Sequence, residues 1–227
     1  MTSIKNHSQT SRNKILSKLK TDVAGADYKK LPDEPKYQYP TMSHEKAIQH
    51  FITTLQSNHA DVLPVTIESF PTVIEEQLKK RNIDSLLYGA KGVHSESIEV
   101  YFRHRTEVKL RQFDFLLHDN KDVLFDECPA SFTSSRCIIS ATGTIVLWPS
   151  VEEPRTLSLV PPIHFVLVDA QKMVSDFAAL ISQEHWYDKL PTNVLLISGP
   201  SKTADIQQTL AYGAHGPKEL IVLLLNS

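Results

Sequence analysis

The amino-acid sequence predicts an α/β protein built on an open, mostly parallel sheet with helices on both faces. Two observations carry the prediction. Near-continuous apolar runs such as "DSLLYG", "IHFVLVD" and "ELIVLLL" recur along the chain, as expected for strands buried on both faces. Between them lie segments whose apolar residues repeat at helical spacing, which is the alternation that makes parallel sheets. At 227 residues the chain suits one sizeable domain, or a domain with an extension.

The reading by element begins with an extension. Residues Ser8 to Lys20 are polar, with Ile15, Leu16 and Leu19 on one side, and predict a short amphipathic helical arm. The stretch "LPDEPKYQYP" from Leu31 to Pro40 holds three prolines, which forbid a regular helix and suggest an extended tether. Residues 1–40 are therefore read as arm and tether, and 41–227 as the α/β domain. Ser43 can cap a helix carrying Ile48, Phe51, Ile52 and Leu55, with Asn58 at its end. "DVLPVTI" reads as a weak strand because of Pro64. Ser69 with Pro71 opens a helix through Val73, Ile74 and Leu78.

"DSLLYG" and "FDFLL" (Phe113 to Leu117) follow as strands. "RCIISATGTIVLW" predicts two strands around a turn at Ala141 to Gly143. After "IHFVLVD", Asp169 can cap a helix with an apolar stripe of Met173, Val174, Phe177, Leu180 and Ile181. "NVLLIS" (Asn193 to Ser198), a helix after Ser201 and "ELIVLLL" complete the series.

Bulk charge excludes one class of partner. Lys plus Arg number 24 against 26 Asp plus Glu, a net charge of −2, so no basic field draws the chain onto nucleic acid or anionic lipid. The densest basic run, "RHRTEVKLR" from Arg103 to Arg111, is interrupted by Glu107 and reads as a solvated helix face. The first twenty residues hold no apolar run of the ~7–15 residues a signal peptide needs. The longest aliphatic run, Leu220 to Leu225, is far short of the ~20 residues of a membrane span. The expectation is a cytoplasmic chain without a membrane span. Cys128 and Cys137 are its two cysteines, too few to hold an iron–sulfur cluster alone, and the histidines show no metal-ligand spacing. No metal or cofactor is expected in this chain.

Three of the seven glycines fall in "ISGPSKTADIQQTLAYGAHGP", Ile197 to Pro217. A strand ending at Ser198 that leads through Gly199 into a helix capped by Ser201 would aim unpaired N–H groups at a phosphate or carboxylate. Ser201 and Thr203 add hydroxyls and Lys202 a charge. The same residues also read as an ordinary cap, with Asp205 complementing the helix dipole and Gly213 ending the helix. His215, held between glycines and Pro217, suits a ligand hydrogen bond or acid–base chemistry, and equally a helix C-terminal cap. Thr142, Gly143 and Thr144 offer hydroxyls and flexible backbone, or simply a hairpin turn. The GxxxxGK[ST] phosphate loop and the GxSxG nucleophile elbow are absent. In an open α/β sheet such loops are expected at the carboxyl ends of the strands.

Taken in order, "ATGTIVL", "TLSLVPPIHFVLV", "ISGPSKTADI" and "GAHGPKELIVLLL" resemble the LUD-domain family, from about Ser131 to the end of the chain. The family's Gly-Pro-Ser motif falls on Gly199, Pro200, Ser201, Lys202, Thr203, Ala204, Asp205 and Ile206. Its His-Gly-Pro falls on His215, Gly216 and Pro217, and its Thr-Gly-Thr on Thr142, Gly143 and Thr144.

The resemblance implies a fold similar to sugar-phosphate isomerases and CoA-transferases. It also implies a role in oxidising L-lactate to pyruvate beside partner proteins that carry iron–sulfur clusters, with this chain as the non-redox member. Two departures stand out. Ala141 replaces a commonly acidic residue, and Lys202 stands where the family often has Arg, exchanging a bidentate fork for a point charge. An alternative is a stand-alone isomerase- or CoA-transferase-like enzyme acting on a phosphorylated or thioester metabolite. It requires a carboxylate in the site, and with Ala141 in place Asp205 or Glu127 would have to supply it.

Overall fold

The computed structural model describes residues 2–26, 39–105, 107–114, 123–204 and 210–225. The chain divides into two compact units, 1–38 and 39–227. The first contains helix α1 (Thr2–Asp22), on which Ile15, Leu16 and Leu19 are exposed. Of the tether, only Tyr39 and Pro40 fall among the described residues.

In the second unit six parallel strands form the main sheet: β1 (Asp61–Val65), β2 (Ser85–Gly89), β3 (Lys109–Phe113), β4 (Ala130–Ser134), β7 (Ile163–Asp169) and β12 (Glu219–Leu225). Their spatial order is β1-β12-β7-β4-β2-β3. Side chains alternate across the pleat. Phe165 and Leu167 of β7 join Phe132 of β4 and Ile221 and Leu223 of β12 in a core with helices α3 (Phe70–Lys80) and α4 (Ser95–Phe102). Val166, Val168, Val222 and Leu224 face the other way, onto Phe51 and Leu55 of helix α2 (His44–Ser57). Burial on both faces is why β7 and β12 read as near-continuous apolar runs, while β4 sets the buried hydroxyls of Ser131 and Thr133 on either side of Phe132.

The second face is shared with a small sheet of order β8-β5-β6-β9. Its strands are β5 (Cys137–Ile139), β6 (Thr144–Leu147), β8 (Met173–Val174) and β9 (Leu195–Ile197). Ile138, Ile145 and Leu147 of this sheet complete the core under α2. Its outer side packs Cys137, Val146 and Val174 with Leu180 of helix α6 (Phe177–Gln183) and with Trp186. Helix α5 (Thr156–Leu159) precedes β7, and a ribbon of β10 (Lys202–Ala204) and β11 (Leu210–Tyr212) precedes β12.

Several local signals act as expected. Ser43 caps α2, accepting from the Lys46 N–H at 3.4 Å, and Asn58 ends that helix. Pro71 stands in the first turn of α3. Cys137 to Leu147 forms the antiparallel pair, turning through Ser140–Thr142.

Others differ. Asp169 caps no helix: its carboxylate accepts from the Gln171 N–H, 3.0 Å, turning the chain into β8, so Met173 and Val174 are strand residues. The cap of α6 is Asp176, which accepts from the Ala179 N–H at 2.9 Å, and Phe177 is exposed. The third strand lies at Lys109–Phe113 rather than Phe113 to Leu117, of which 115–117 lie outside the described residues. Part of the basic run is therefore an edge strand, not a helix face: Leu110 and Arg111 are half-buried there, while Arg103 and Lys109 are exposed.

The connections place the functional ends of the sheet. From β2 the chain proceeds through α4 to β3 at one edge, whereas from β4 it proceeds through β7 to β12 toward the other. The neighbours β2 and β4 thus form the switch point, where the loops at their carboxyl ends part and leave a crevice.

Candidate functional site

The glycine-rich loops form a closely bonded structure, with a geometry different from the expected helix cap. Residues on either side of 205–209 pair as an antiparallel ribbon, Lys202 with Tyr212, Thr203 with Ala211 and Ala204 with Leu210. The Ser201 N–H donates to the Pro217 carbonyl (2.8 Å), and the Gly213 N–H donates to the Ser201 carbonyl (3.0 Å). Ser201 therefore caps no helix and Gly213 ends none, and the proposed row of free N–H groups at a helix N-terminus is absent there.

The loop also stands at the amino ends of β7 and β12, since the Lys218 N–H bonds the Pro162 carbonyl (2.7 Å) just before both strands. That is the end opposite the expected one. Gly216 packs on Ser201, and Gly199 on Asn58 at the end of α2. Lys202 and His215 are exposed, Thr203 is half-buried, and Asp205 lies outside the described residues.

Thr142, Gly143 and Thr144 are brought to the same neighbourhood. Thr142 Oγ1 lies 2.7 Å from Thr144 Oγ1, which lies 2.8 Å from Ser198 Oγ, so the three hydroxyls satisfy one another. This chain ties β6 to the end of β9. His50 Nε2 is 3.4 Å from the Ala141 carbonyl, and the Ala141 N–H donates to Ser175 at 3.0 Å. Gly143 is required here: its φ of 59° is left-handed, and a Cβ would lie 2.6 Å from Cβ and Cγ2 of Thr54. Gly143→Ala is expected to cost at least the ~1–2 kcal/mol of the left-handed conformation, lowering the melting temperature by several degrees in a thermal unfolding scan.

Glu127 does not supply the missing carboxylate. It is bonded to Arg111 on the edge strand β3, at the far side of the sheet from β12.

The switch point holds a feature that motif reading passed over. An open cavity of about 1000 Å³ lies at the carboxyl ends of β2, β4 and β7, where Gly92, Ser134 and Lys172 line it. Glu153 reaches into its wall. One carboxylate oxygen accepts from the Ser134 N–H (3.0 Å) and the other from the Ser134 hydroxyl (3.3 Å). Burial raises the Glu153 pKa above the usual carboxylate value, against the lowering by Ser134. Two glycines make room: a side chain at Gly92 would collide with Glu153 Oε1, and one at Gly89 with the Glu152 carbonyl.

Around Glu153, Arg136 is committed to Glu184 by a bidentate pair at 2.9 and 2.9 Å and lies 5.4 Å from the Trp148 ring centroid. Lys172 lies 3.7 Å from Asp169, and Lys91 faces Glu152. The Cys137 thiol, also in the lining, is pushed up to about 11 by burial and stays protonated at neutral pH. "YGAKG" after an apolar strand was the one sequence signal for this crevice. Among the described residues no group of three or more His, Cys, Asp or Glu side chains is placed to hold a metal ion. No helix there is long and apolar enough to cross a membrane.

A parallel α/β sheet with a polar crevice at its switch point defines a broad class of ligand-binding proteins and enzymes. Within it this chain belongs to the LUD-domain family, whose profile matches residues 48–225. An uncharacterized protein of Neisseria meningitidis is 34% identical over 223 residues, covering 95% of this chain and 94% of the relative. Lactate utilization protein C of Oceanobacillus iheyensis is 20% identical, covering 95% and 98%. That of Shouchella clausii is 25% identical, with 74% of each chain covered. The crystal structure of a DUF162 family protein from Deinococcus radiodurans has the same fold, with a TM-score of 0.59 at 20% identity over 82% of this chain and 100% of that one.

Proposed function

We propose that this chain serves in lactate utilization, as the non-redox subunit of an L-lactate-oxidising assembly whose iron–sulfur clusters reside in partner proteins. The observation that carries the reading is the similarity, nearly full-length in one case, to relatives named lactate utilization protein C. The chemistry of the chain supports the division of labour. Both cysteines are buried and their thiols are pushed up by desolvation, so neither is a ready thiolate ligand.

The reading is tested by co-expressing the chain with the products of its neighbouring genes and assaying L-lactate oxidation with an artificial electron acceptor. Activity is expected only in the assembly, and is expected to drop when this chain is omitted. Oxidation by the isolated chain, or an undiminished rate without it, overturns the proposal.

A second reading, the stand-alone isomerase- or CoA-transferase-like enzyme, is favoured by one observation. Glu153 offers a carboxylate at the switch point that neither position 141 nor Glu127 provides. Turnover of a sugar phosphate or a thioester by the purified chain would establish it.

A further inference from the structure

We propose that the switch-point cavity binds a small organic cation, an ammonium group on a short apolar stem, with Glu153 as the carboxylate that receives it. The site goes beyond the role in lactate utilization proposed above and does not depend on it.

The charges around the cavity leave one group over. Lys91, Arg136 and Lys172 line it, and each already faces a carboxylate. Arg136 holds Glu184 through two bonds of 2.9 Å, Lys172 lies 3.7 Å from Asp169, and Lys91 faces Glu152. Glu153 is different. Its oxygens accept from the Ser134 N–H at 3.0 Å and the Ser134 hydroxyl at 3.3 Å, both uncharged donors, and no basic side chain among the described residues pairs with it. An anion entering the cavity therefore meets cations that are already matched, whereas a cation meets Glu153.

Two neighbouring groups leave that balance unchanged. The Cys137 thiol in the lining is protonated at neutral pH, and His94, near Lys172 and Asp169, is held below its ordinary range, chiefly by burial, and is mainly neutral.

The placement of Glu153 is built rather than incidental. Two loops distant in sequence converge on it, and Gly89 and Gly92 leave the space its loop fills. A carboxylate offers about four acceptor positions, of which Ser134 takes two. Drawn partly out of water with no opposite charge beside it, an ionised carboxylate is costly, and a ligand ammonium offsets that cost in a medium where attraction is stronger than in water.

The rest of the wall defines the ligand. Met173 and Trp148, whose ring centroid lies 5.4 Å from the Arg136 guanidinium, give apolar surface for a stem. Ser135, Ser150 and Gln171 offer acceptors to the remaining N–H groups of a primary ammonium. A zwitterionic amino acid is a poorer fit, because its own carboxylate finds the lysines and arginine matched.

The test is calorimetric titration of the full chain with n-butylammonium chloride, n-butanol and L-lactate, at low salt and about pH 8 to keep Glu153 ionised. Butylammonium is expected to bind, and butanol, the same stem without the charge, to bind at least about tenfold more weakly. L-Lactate is expected not to bind in this cavity. Glu153→Gln, which keeps the size and an acceptor but removes the charge, is expected to weaken butylammonium binding at least about tenfold and to leave butanol unaffected. Lys91→Ala, which releases Glu152, is expected to bind the amine at least as tightly as the wild type.

No saturable butylammonium binding up to about 10 mM in the folded wild-type chain overturns the proposal. So does butanol or lactate binding as tight as that of the amine, full affinity in Glu153→Gln, or reduced affinity in Lys91→Ala. Circular dichroism confirms that each variant is folded.

Discussion

Lowering the pH from about 7 to about 5 is expected to reduce the unfolding free energy of this protein by about 2 kcal/mol through one residue, His164. His164 is the second residue of β7, fully buried, and burial lowers its pKa to about 3. Its Nε2 is 2.8 Å from Thr133 Oγ1, while among the described residues its Nδ1 has no partner and nothing compensates an imidazolium there. In the unfolded chain the same ring titrates near 6.5.

Between those two values the unfolded state binds a proton that the folded state refuses. Stability therefore rises with pH across that window and is lost as pH falls through it, by up to about 1.4 kcal/mol per unit. His94, also lowered, contributes with the same sign. Glu153, raised, contributes with the opposite sign: its share is present at low pH and lost as pH rises through its folded value. Urea unfolding of the wild type and of His164→Gln at the two pH values isolates the effect. Glutamine can keep a hydrogen bond to Thr133 without titrating, so the variant is expected to lose most of the acid slope whatever its stability at neutral pH. An unchanged slope would show that His164 is not the source.

Strands β1, β2, β7 and β12 of the main sheet were legible because their code is local, whereas β3 was expected four residues later and β4, with Ser131, Thr133 and Ser134 in it, was not predicted. Strands covered on both faces carry few polar positions to interrupt them, and Ile163–Asp169 and Glu219–Leu225 read as such runs. The α2 helix was equally plain, with Ser43, Asn58 and a one-sided apolar stripe.

The glycine-rich loop was misread because its conformation is decided by remote partners. Ser201 is bonded to Pro217 and Gly213, twelve or more residues away, and those long-range bonds override the resemblance of Ser-Lys-Thr-Ala-Asp to a helix start. Asp169 illustrates the same competition at short range, since an aspartate that caps a helix and one that bonds Gln171 to form a turn are the same residue type before the chain folds.

The switch-point crevice was hidden for a different reason. Glu153 acquires its character from Gly89, Gly92 and Ser134, which lie 19 or more residues from it. Each is unremarkable alone. Only the parallel pairing of β2 with β4 brings Leu87 beside Ser131 and Tyr88 beside Phe132, and so carries the two loops to one place.

Gly89→Ala therefore tests how tightly the two loops are packed. The last residue of β2 is fully enclosed, and its backbone is not left-handed, so strain is not the issue. Space is: a Cβ there would fall inside contact distance of the Glu152 carbonyl and 2.9 Å from Glu153 Cγ. The first obstacle is backbone, which cannot rotate aside, and the second is a side chain held by Ser134. Either β2 or the 152–153 loop must move.

Inserting one methyl into so tight a contact costs about 1–3 kcal/mol, which in a chain of this size lowers the melting temperature by roughly 2–12 °C. The loop is the softer element, held by Ser150 Oγ accepting the Glu152 and Glu153 N–H groups at 3.1 Å each. It is expected to yield first, drawing Glu153 away from Ser134. The result expected is a folded protein with lower stability, in which the Glu153 contacts to Ser134 are loosened. Ser150→Ala, which loosens the same loop without a collision, is expected to lower stability by about 1 kcal/mol. Full wild-type stability in Gly89→Ala would mean that the crevice relaxes freely. The close approach of the two loops would then not be what holds Glu153 in place.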